Sequence, residues 1–504
     1  MSDFVNLELL PLGKVLRIKR GMPLQEVLFA HGVEFPCGGR GLCKGCRIKV
    51  LAGALPITDE DQQKLSGAEL AEGWRLACRG EAQSDLKLEL AQWEAAILSD
   101  ESVFAFTPRE GLGIAVDLGT TTIVAQLLDL QTGYVLAVRT ALNAQAKCGA
   151  DIMSRVESAM AGDGQRTLQN IVRKQIGQLL QELLTAAASE THEVKNVVVV
   201  GNTVMHHLFC GISVEPLSHF PFVPVSPGLR VFEAAELGWS LPGDPAVRFL
   251  PCLGSFVGSD ILAGLLATKL HQSERVAALI DLGTNGEIVV GNRERLLCAS
   301  TAAGPAFEGA RISMGMRAAT GAICEVRVRD GRLDCHVVGN VVPRGICGSG
   351  LVDAVAAGLE LGWISYKGRL ANGGPLALAG PVSLNQWDVR ELQLAKGAIA
   401  AGLRILLEKW GTTKEDLEQV FLAGAFGNYI DHTSARRIGL LDFPVGKVLP
   451  SGNTALLGAK LALFSLPEHD GAFPEILARV KHVSLDEDAR FQETFVEEMV
   501  FPES

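Results

Sequence analysis

Features that would assign a chain to nucleic acid, membranes or secretion are missing from this sequence of 504 residues. No block of Lys and Arg is interleaved with aromatic residues, and 46 basic against 57 acidic residues give a formal net charge of −11, which is unfavourable for binding nucleic acid. No uncharged apolar run reaches the roughly 18 residues of a membrane helix, and the N-terminus lacks a basic segment followed by an apolar one. We therefore expect a cytoplasmic protein that binds neither nucleic acid nor membranes.

Cysteine is present in an odd number, eleven, and is spread through the whole chain. This usage favours reduced thiols and a metal site over the disulfide framework of a secreted protein. The length exceeds what one hydrophobic core usually holds and suggests about three domains.

The first part of the chain has the pattern of a small α+β domain, which we place at residues 1–92. Residues 93–111 have no clear period and contain Pro and Gly near their end, so they are predicted to be a linker. The strands predicted before the linker are KVLRIK (14–19), RIKVLAG (47–53) and LKLEL (86–90), and a helix is predicted within PLQEVLFAHG (23–32).

Four cysteines of this first domain have the spacing of iron–sulfur ligands. Cys37, Cys43 and Cys46 form C-x5-C-x2-C, and Cys78 follows beyond a predicted strand. A [2Fe–2S] cluster takes two cysteines per iron, and the glycines between the first three let backbone N–H groups point at sulfur. A zinc site is the alternative, but such sites normally use two close cysteine pairs and only one is present. We predict a [2Fe–2S] cluster here, in a domain that resembles a β-grasp ferredoxin.

A repeat marks the second part of the chain, residues 112–504, where apolar strands alternate with helices as in α/β proteins. GIAVDLGTTTIVAQLLDL (113–130) and AALIDLGTNGEIVVGN (277–292) both run from an apolar strand through Asp-Leu-Gly-Thr into a second apolar strand. The repeat predicts one domain built of two related halves.

Each Asp-Leu-Gly-Thr turn presents backbone N–H groups and hydroxyls to an anion, with a carboxylate close enough to hold hydrated Mg²⁺. One such turn is weak evidence, because Asp-Xaa-Gly is also a plain hairpin signal, but two facing turns would hold the phosphates of one nucleotide. We predict that Asp117, Asp281 and Glu287 are catalytic, with the two aspartates holding the water shell of the metal. The predicted nucleotide-binding residues of the turns are Gly119, Thr120, Thr121 and Thr122 in the first copy and Gly283, Thr284, Asn285 and Gly286 in the second.

The paired turns resemble the superfamily of acetate and sugar kinases, actin and the ATPase half of heat-shock chaperones. FLAGAFGNYID (421–431) resembles the adenosine loop of that superfamily, which predicts that Gly424, Gly427 and Asn428 contact the nucleotide. VVVVGNTVMHHL (197–208) and SGNTALLGA (451–459) resemble its connecting segments, although Gly-Asn-Thr alone can also be a helix N-cap.

Several other segments receive structural interpretations. His206 and His207 are adjacent, and we expect them in the core or an interface and not on one metal. The glycine-rich stretches 302–323 and 344–353 are predicted to be ordered loops, with Cys347 a small buried residue. The apolar residues of the acidic C-terminal tail predict that it packs on the body of the protein.

The combination of a ferredoxin domain with this ATPase fold resembles the ATP-dependent reductive activators of corrinoid proteins over nearly the whole chain. The motifs that carry the resemblance are GNTVMHHL, AAGPAFEGARISMGMRA, GICGSGLVDA, AGAFGNYID and SGNTALLGA. The resemblance implies a homodimer that uses a [2Fe–2S] cluster, ATP and Mg²⁺ to reduce Co(II) to Co(I) on the corrinoid protein of a methyltransferase system. A low-potential donor would supply the electrons, and Arg311 and Arg317 are predicted to lie on the docking or closing surface.

Three other functions stay open from the residues alone. The first is an ATP-dependent activator of a radical or dehydratase enzyme, although those activators lack a ferredoxin domain. The second is a binding module that redox state and nucleotide only regulate. The third is a small-molecule kinase with an appended sensor, for which no acceptor pocket can be identified.

Overall fold

The structure is a computed structural model, and it divides into two compact units. The first unit comprises residues 1–22, 46–269 and 453–482, and the second comprises residues 23–45, 270–452 and 483–504. The residues that the structure describes are 3–10, 14–29, 41, 46–90, 106–149, 151–283, 285–309, 311–316, 318, 321–338, 341–371, 373–427, 430–465 and 472–503.

The N-terminal part contains a five-stranded sheet in the order β2-β1-β7-β4-β5, in which only the β1–β7 pair among these neighbours is parallel. Alternation of side chains explains the strands, since every second residue of LKLEL is buried and the residues between are half-buried. The strands are β1 Phe4–Leu10, β2 Lys14–Lys19, β3 Met22–Pro23, β4 Arg47–Ala52, β5 Trp74–Leu76, β6 Glu81–Ala82 and β7 Leu86–Leu90, and the helices are α1 Leu24–Phe29, α2 Asp59–Lys64 and α3 Gly67–Ala71.

The strands predicted from alternation in this domain are confirmed. Two of them, at 14–19 and 86–90, have the predicted bounds, and the one at 47–53 ends one residue earlier. The predicted helix is present as α1 within its predicted range. Most of the predicted linker lies outside the described residues, and the boundaries 1–92, 93–111 and 112–504 stay a prediction.

The first half of the repeat forms a six-stranded sheet in the order β10-β9-β8-β11-β13-β12. Strand β11 is a nearly continuous buried run of valines, as expected for a strand with parallel neighbours on both sides. The strands are β8 Leu112–Leu118, β9 Thr122–Asp129, β10 Val135–Leu142, β11 Val194–Gly201, β12 Arg230–Glu233 and β13 Ala246–Phe249, and the helices are α4 Ile152–Met160, α5 Gly164–Ala186, α6 Thr203–Cys210 and α7 Ser259–Thr268.

The second half contributes five strands in the order β23-β22-β14-β15-β16, a three-stranded sheet β18-β17-β19 and the hairpin β20–β21. The strands are β14 Ala277–Leu282, β15 Gly286–Gly291, β16 Leu296–Thr301, β17 Ala322–Arg329, β18 Arg332–Val337, β19 Gly345–Ile346, β20 Leu376–Ala379, β21 Val382–Leu384, β22 Val420–Ala423 and β23 Val448–Gly452, and the helices are α8 Gly348–Glu360, α9 Gln386–Trp410, α10 Gly424–Gly427 and α11 His432–Arg437.

The topology confirms the duplication predicted from the repeated turn. In each half the strand that carries Asp-Leu-Gly-Thr pairs antiparallel with the next strand, which pairs antiparallel with a third. On its other side the same strand pairs parallel with a later strand, β11 in the first half and β22 in the second. The two halves therefore share one strand order.

The loop predicted at 344–353 is wrong over its second part, because α8 begins at Gly348. Glycine lowers helix propensity, so two glycines in the first turn hid the helix. The fold needs them for close packing: a Cβ on Gly348 would lie 1.9 Å from the carbonyl oxygen of Phe307, and one on Gly350 would lie 2.2 Å from that of Ile323. In the stretch 302–323, the described residues include a short 3-10 turn at Pro305–Glu308, and β17 begins at Ala322.

The C-terminal segments complete the two units. Helix α12, Thr454–Ser465, packs on α7 within the first unit, where a Cβ on Gly458 would lie 1.9 Å from the oxygen of Ala263. After α13, Ala472–Arg479, and β24, Val480–His482, the chain continues in the second unit, where α14, Phe491–Glu498, packs on α9.

The predicted packing of the acidic tail is confirmed, since Phe501 is only 1% exposed and Lys396 Nζ donates to the oxygen of Val500 at 3.0 Å. None of the helices in the described ranges is long and apolar enough to cross a bilayer.

Candidate functional site

Two of the four predicted cluster ligands lie at one end of an antiparallel strand pair. Cys46 immediately precedes β4, and Cys78 follows β5 in a short 3-10 turn. The amide of Ala77 donates to the oxygen of Cys46 at 3.0 Å, which joins the two cysteine-bearing segments directly. Cys37 and Cys43 lie outside the described residues. The strand pair thus brings the segments of Cys46 and Cys78 together, which two ligands of one cluster would require.

A buried carboxylate that sequence reasoning missed fixes the segment before Cys78. Asp61 is 1% exposed and accepts from the amide of Leu76 at 2.7 Å through Oδ1. Its other oxygen accepts from the amide of Thr58 at 2.9 Å, in a capping box that starts α2. The signal in the sequence was the Thr58-x-x-Asp61 pattern, which predicts a helix start but not the second contact.

The cluster assignment makes a direct analytical prediction. We expect about two iron atoms and two acid-labile sulfides per chain, and we expect Cys78→Ser to lose the visible absorption of the cluster. The matched control is Cys335→Ser, which changes a half-buried cysteine of β18. Zinc without sulfide in the purified protein, or an unchanged spectrum in Cys78→Ser, would contradict the assignment.

The first Asp-Leu-Gly-Thr turn joins β8 to β9 and is held from behind. Asn143 Nδ2 donates to the oxygen of Gly119 at 3.0 Å, the amide of Asn143 donates to the oxygen of Thr121 at 2.9 Å, and Arg155 donates to the oxygen of Thr120. In a trans peptide the N–H points opposite to the C=O. The N–H of the residue that follows each of these three carbonyls therefore points away from Asn143 and Arg155. The turn therefore presents N–H groups on its other side, as an anion site requires.

Asp117, at the end of β8, is the carboxylate of this turn. Its Oδ2 accepts from Asn453 Nδ2 at 2.9 Å within the first unit. Burial raises the pKa of Asp117 to about 6, while the hydrogen bond from Asn453 acts in the opposite direction. At pH 7 the carboxylate is still mostly ionised, and an ionised group that has lost solvation favours a bound cation.

The second turn joins β14 to β15 and is one residue shorter than the first when counted from the paired residues beside it, because Leu282 lies opposite Gly286 whereas Leu118 lies opposite Ile123. The amide of Gly283 donates to the oxygen of Asn285 at 3.0 Å, whereas that of Gly119 reaches Thr122. The shorter turn places Asp281 directly opposite Glu287 in the antiparallel pair, so both carboxylates extend from the same face of the sheet. Glu287 is 8% exposed and accepts from Ser300 Oγ at 3.3 Å. Like charges placed opposite each other repel, and a bound cation would reduce this repulsion.

Gly424 lies against the carboxylate of the second turn. Its φ is +84°, and a Cβ there would lie 2.6 Å from Asp281 Oδ1 and 2.7 Å from the oxygen of Leu282. Gly201 has the corresponding place in the first half, with a Cβ position 2.6 Å from the oxygen of Leu118. In the first half the strand parallel to the Asp-Leu-Gly-Thr strand ends in a glycine, Gly201, and in the second half a glycine, Gly424, follows that strand directly. The Asp-Leu-Gly-Thr strand approaches both glycines closely, which the sequence repeat did not reveal.

The remaining predicted nucleotide-binding residues of the second half are Thr284, Gly286, Gly427 and Asn428. Thr284 and Asn428 are outside the described residues. Gly286 begins β15, where a Cβ would lie 2.8 Å from Ile399 Cγ1, and Gly427 ends α10, with a Cβ position 3.0 Å from Leu422 Cγ. A side chain at Gly286 would thus force its neighbours to move, whereas one at Gly427 would need only a small shift of Leu422.

Several interpretations made outside the turns can also be compared with the structure. His206 and His207 are fully buried in α6, as expected for core residues, and burial lowers the pKa of both. Cys347 is buried, as predicted. Arg311 is exposed with φ +63°, while Arg317 lies outside the described residues, and their docking role stays a prediction.

The fold and the two kinds of site define a class, an iron–sulfur ferredoxin domain followed by an actin-like ATPase. Three family descriptions match consecutive parts of the chain. They are "2Fe-2S iron-sulfur cluster binding domain" at residues 9–83, "RACo middle region" at 112–273 and "C-terminal domain of RACo the ASKHA domain" at 275–504.

The proteins to which this chain is similar are named as activators or reductases of corrinoid proteins. The chain is 36% identical over 443 residues to the "Corrinoid activation enzyme RamQ" of Eubacterium limosum, covering 80% of this chain and 74% of that protein. It is 29% identical over 379 residues to the "[Co(II) methylated amine-specific corrinoid protein] reductase" of Methanosarcina barkeri, covering 69% of each. A solved "Reductive activator for corrinoid,iron-sulfur protein" superposes with a TM-score of 0.71 at 27% identity, covering 99% of this chain and 98% of that one. The chain belongs to the family of reductive activators of corrinoid proteins.

Proposed function

We propose that this protein reduces Co(II) to Co(I) on a corrinoid protein, using ATP to make the electron transfer favourable. The observation that carries the proposal is the alignment of 99% of this chain with 98% of a solved reductive activator. One chain thus contains both parts that the reaction requires, an electron-transfer domain and an ATPase domain. The partner is proposed to be the corrinoid protein of a methyltransferase system.

Cys37, Cys43, Cys46 and Cys78 are the residues proposed to hold the cluster. A [2Fe–2S] cluster supplies one electron at a time, taken from a low-potential donor and passed to Co(II) to give Co(I). The contact between Cys46 and Ala77 and the bond from Leu76 to Asp61 fix the two described ligand segments, so their geometry does not depend on the cluster alone.

The two turns are proposed to bind Mg-ATP. Asp117 and Asp281 hold the water shell of Mg²⁺, and Glu287 is placed opposite Asp281 to orient a water molecule. The peptide N–H groups of the first turn are proposed to contact phosphate oxygens. The carbonyl groups of the same peptides accept hydrogen bonds from Asn143 and Arg155, so the N–H groups point to the opposite side. Gly283, Thr284, Asn285 and Gly286 are proposed for the second turn, and Gly424, Gly427 and Asn428 for the adenosine.

ATP is needed because the electron transfer is uphill on its own. A one-electron step loses about tenfold in its equilibrium constant for every 59 mV uphill, and plant-type [2Fe–2S] ferredoxins lie near roughly −400 mV. If the nucleotide-bound protein binds the corrinoid protein best when the weak axial ligand of Co(II) has dissociated, binding energy raises the cobalt potential. This explanation requires that nucleotide changes the affinity for the corrinoid protein.

Mg²⁺, the electron donor and the homodimer are parts of the proposal that depend on the family resemblance. Mg²⁺ is supported by the carboxylates of Asp281 and Glu287, which lie opposite each other near one end of β14 and β15. Carboxylate oxygens suit a hard hydrated cation. The cytoplasmic location expected from the sequence stays a prediction.

The test of the function is a reconstituted reduction. Protein, a low-potential reductant, Mg-ATP and Co(II) corrinoid protein from the same source are mixed without oxygen, and the visible band of Co(I) or of its methylated product is followed. We expect Co(I) to form with ATP and the intact protein, and not without ATP or with Cys78→Ser. Binding of the corrinoid protein is measured in the same samples with and without nucleotide.

Other outcomes favour the alternatives. Co(I) formation at the same rate without ATP would show that nucleotide does not drive the reaction. Binding that responds to nucleotide and redox state, without any Co(I), would favour the regulated binding module. Activation of a radical or dehydratase enzyme in place of corrinoid reduction would favour the other activator class.

A further inference from the structure

The Gly-Asn-Thr motif occurs at two strand-to-helix junctions of the chain. In Gly201-Asn202-Thr203 the glycine ends β11 and the threonine begins α6, and in Gly452-Asn453-Thr454 the glycine ends β23 and the threonine begins α12. In each motif the asparagine caps the helix through Oδ1, which accepts from Met205 N at 3.0 Å in one case and from Leu456 N at 2.8 Å in the other. The N-cap interpretation of these motifs is therefore correct, but it accounts only for the Oδ1 atom of each asparagine and not for its Nδ2 atom.

The Nδ2 atom of each asparagine contacts the first Asp-Leu-Gly-Thr turn or the aspartate before it. Asn202 Nδ2 donates to Thr120 Oγ1 at 2.9 Å, and Asn453 Nδ2 donates to Asp117 Oδ2 at 2.9 Å. The cap bond settles which end of the amide is nitrogen, because a rotated amide would place NH₂ against the helix N–H that it must accept. Two caps from distant parts of the sequence thus converge on one turn within the first unit.

We propose that Asn202 and Asn453 are positioning residues of the nucleotide site, each fixing one chemical group of the first turn. This inference depends on the proposed role of that turn in binding Mg-ATP. Asn453 orients the carboxylate of Asp117 towards the hydrated metal. Asn202 occupies a lone pair of Thr120 Oγ1, so the hydroxyl hydrogen is directed elsewhere and can be donated to a phosphate oxygen.

Asparagine is the side chain that does both tasks at these positions. Serine and aspartate cap helices about as well as asparagine, but neither has an N–H to donate. Aspartate in place of Asn453 would in addition bring a second carboxylate against Asp117. The two functions of the amide can therefore be separated by substitution.

The experiment compares Asn453→Ser and Asn202→Ser with Asn385→Ser. Asn385 caps α9 through Oδ1 in the same way, accepting from Trp387 N at 2.7 Å and Asp388 N at 3.0 Å, and belongs to the second unit. The readouts are the thermal midpoint, the cluster spectrum, the rate of phosphate release from saturating Mg-ATP, and the Kd of a non-hydrolysable ATP analogue with Mg²⁺.

We expect all three variants to keep the cluster spectrum and a similar thermal midpoint, since the caps are retained. Asn453→Ser should lower the rate at saturating Mg-ATP about tenfold, as expected for losing a hydrogen bond to a charged group, with a smaller change in Kd. Asn202→Ser should instead raise the Kd of the analogue by about tenfold, since a phosphate donor is then poorly oriented. Asn385→Ser should leave both unchanged.

Two further variants keep the test decisive. Asn453→Asp, which retains shape and cap, should lose more activity than Asn453→Ser, whereas Asn385→Asp should lose none. If the substitutions at 202 and 453 match those at 385 while Asp117→Ala is inactive, the asparagines are caps only and this inference is wrong. If Asp117→Ala is fully active, the nucleotide assignment of the turn is wrong and the inference is wrong with it.

Discussion

Replacing Asp117 or Asp281 with alanine is expected to reduce ATP-dependent corrinoid reduction about 100-fold or more, while the visible spectrum of the cluster persists. A loss of this size is typical when an active site loses one preorganised group that stabilises charge in the transition state. Each aspartate is the second-last residue of the strand that leads into its own turn, and each is proposed to hold the water shell of Mg²⁺. Without the carboxylate, metal and attacking water lose their fixed position.

The structure predicts different side effects for the two substitutions. Asp117→Ala leaves Asn453 Nδ2 without its acceptor, whereas Asp281→Ala removes one of two carboxylates that lie opposite each other in β14 and β15. We therefore expect Asp117→Ala to have a lower midpoint of thermal unfolding than the wild type, because a hydrogen bond to a charged group is lost. The control is Asp334→Ala, which removes an exposed strand carboxylate paired with Arg329 at 3.0 Å. Full activity in both Asp117→Ala and Asp281→Ala would show that the turns are not the nucleotide site.

Gly424→Ala is expected to abolish most nucleotide-dependent activity even though it adds a single methyl group. The new Cβ would lie 2.6 Å from Asp281 Oδ1, closer than real Cβ contacts, so either the carboxylate or the strand end must move. A displacement of about 1 Å at a reacting group can cost roughly 100-fold in rate. The backbone contributes a separate cost of about 1–2 kcal/mol, because φ at Gly424 is +84°.

The chain offers a matched control for the backbone cost alone. Gly411 ends α9 with φ +86°, and a Cβ there would meet nothing within 4 Å. Gly411→Ala should therefore lose a similar amount of stability, measured by denaturant unfolding, and keep its activity and nucleotide affinity. Equal losses of activity in the two variants would mean that strain explains the effect and that contact with Asp281 does not.

Local patterns predicted much of this fold because they report interactions between residues close in sequence. The alternation in LKLEL gave the bounds of β7, and the repeat of Asp-Leu-Gly-Thr gave the duplication seen in the two sheets. The pattern failed at 348–353, where glycines that suggest a loop are instead required by packing of α8 against Phe307 and Ile323. Helix propensity depends on the residue itself and on its neighbours in sequence, whereas Phe307 and Ile323 belong to other segments of the chain.

The four cysteines with cluster spacing and the two Asp-Leu-Gly-Thr turns of the site could be predicted from the sequence alone. The residues that surround them could be identified only from the folded chain. Asp61 reaches Leu76, Asn453 reaches Asp117 across 336 positions, and Gly424 lies against Asp281. Each of these contacts joins residues that the sheets bring together at the ends of neighbouring strands or at the helices that follow. A linear pattern cannot encode such a contact, because the energy that fixes it comes from packing of the whole unit.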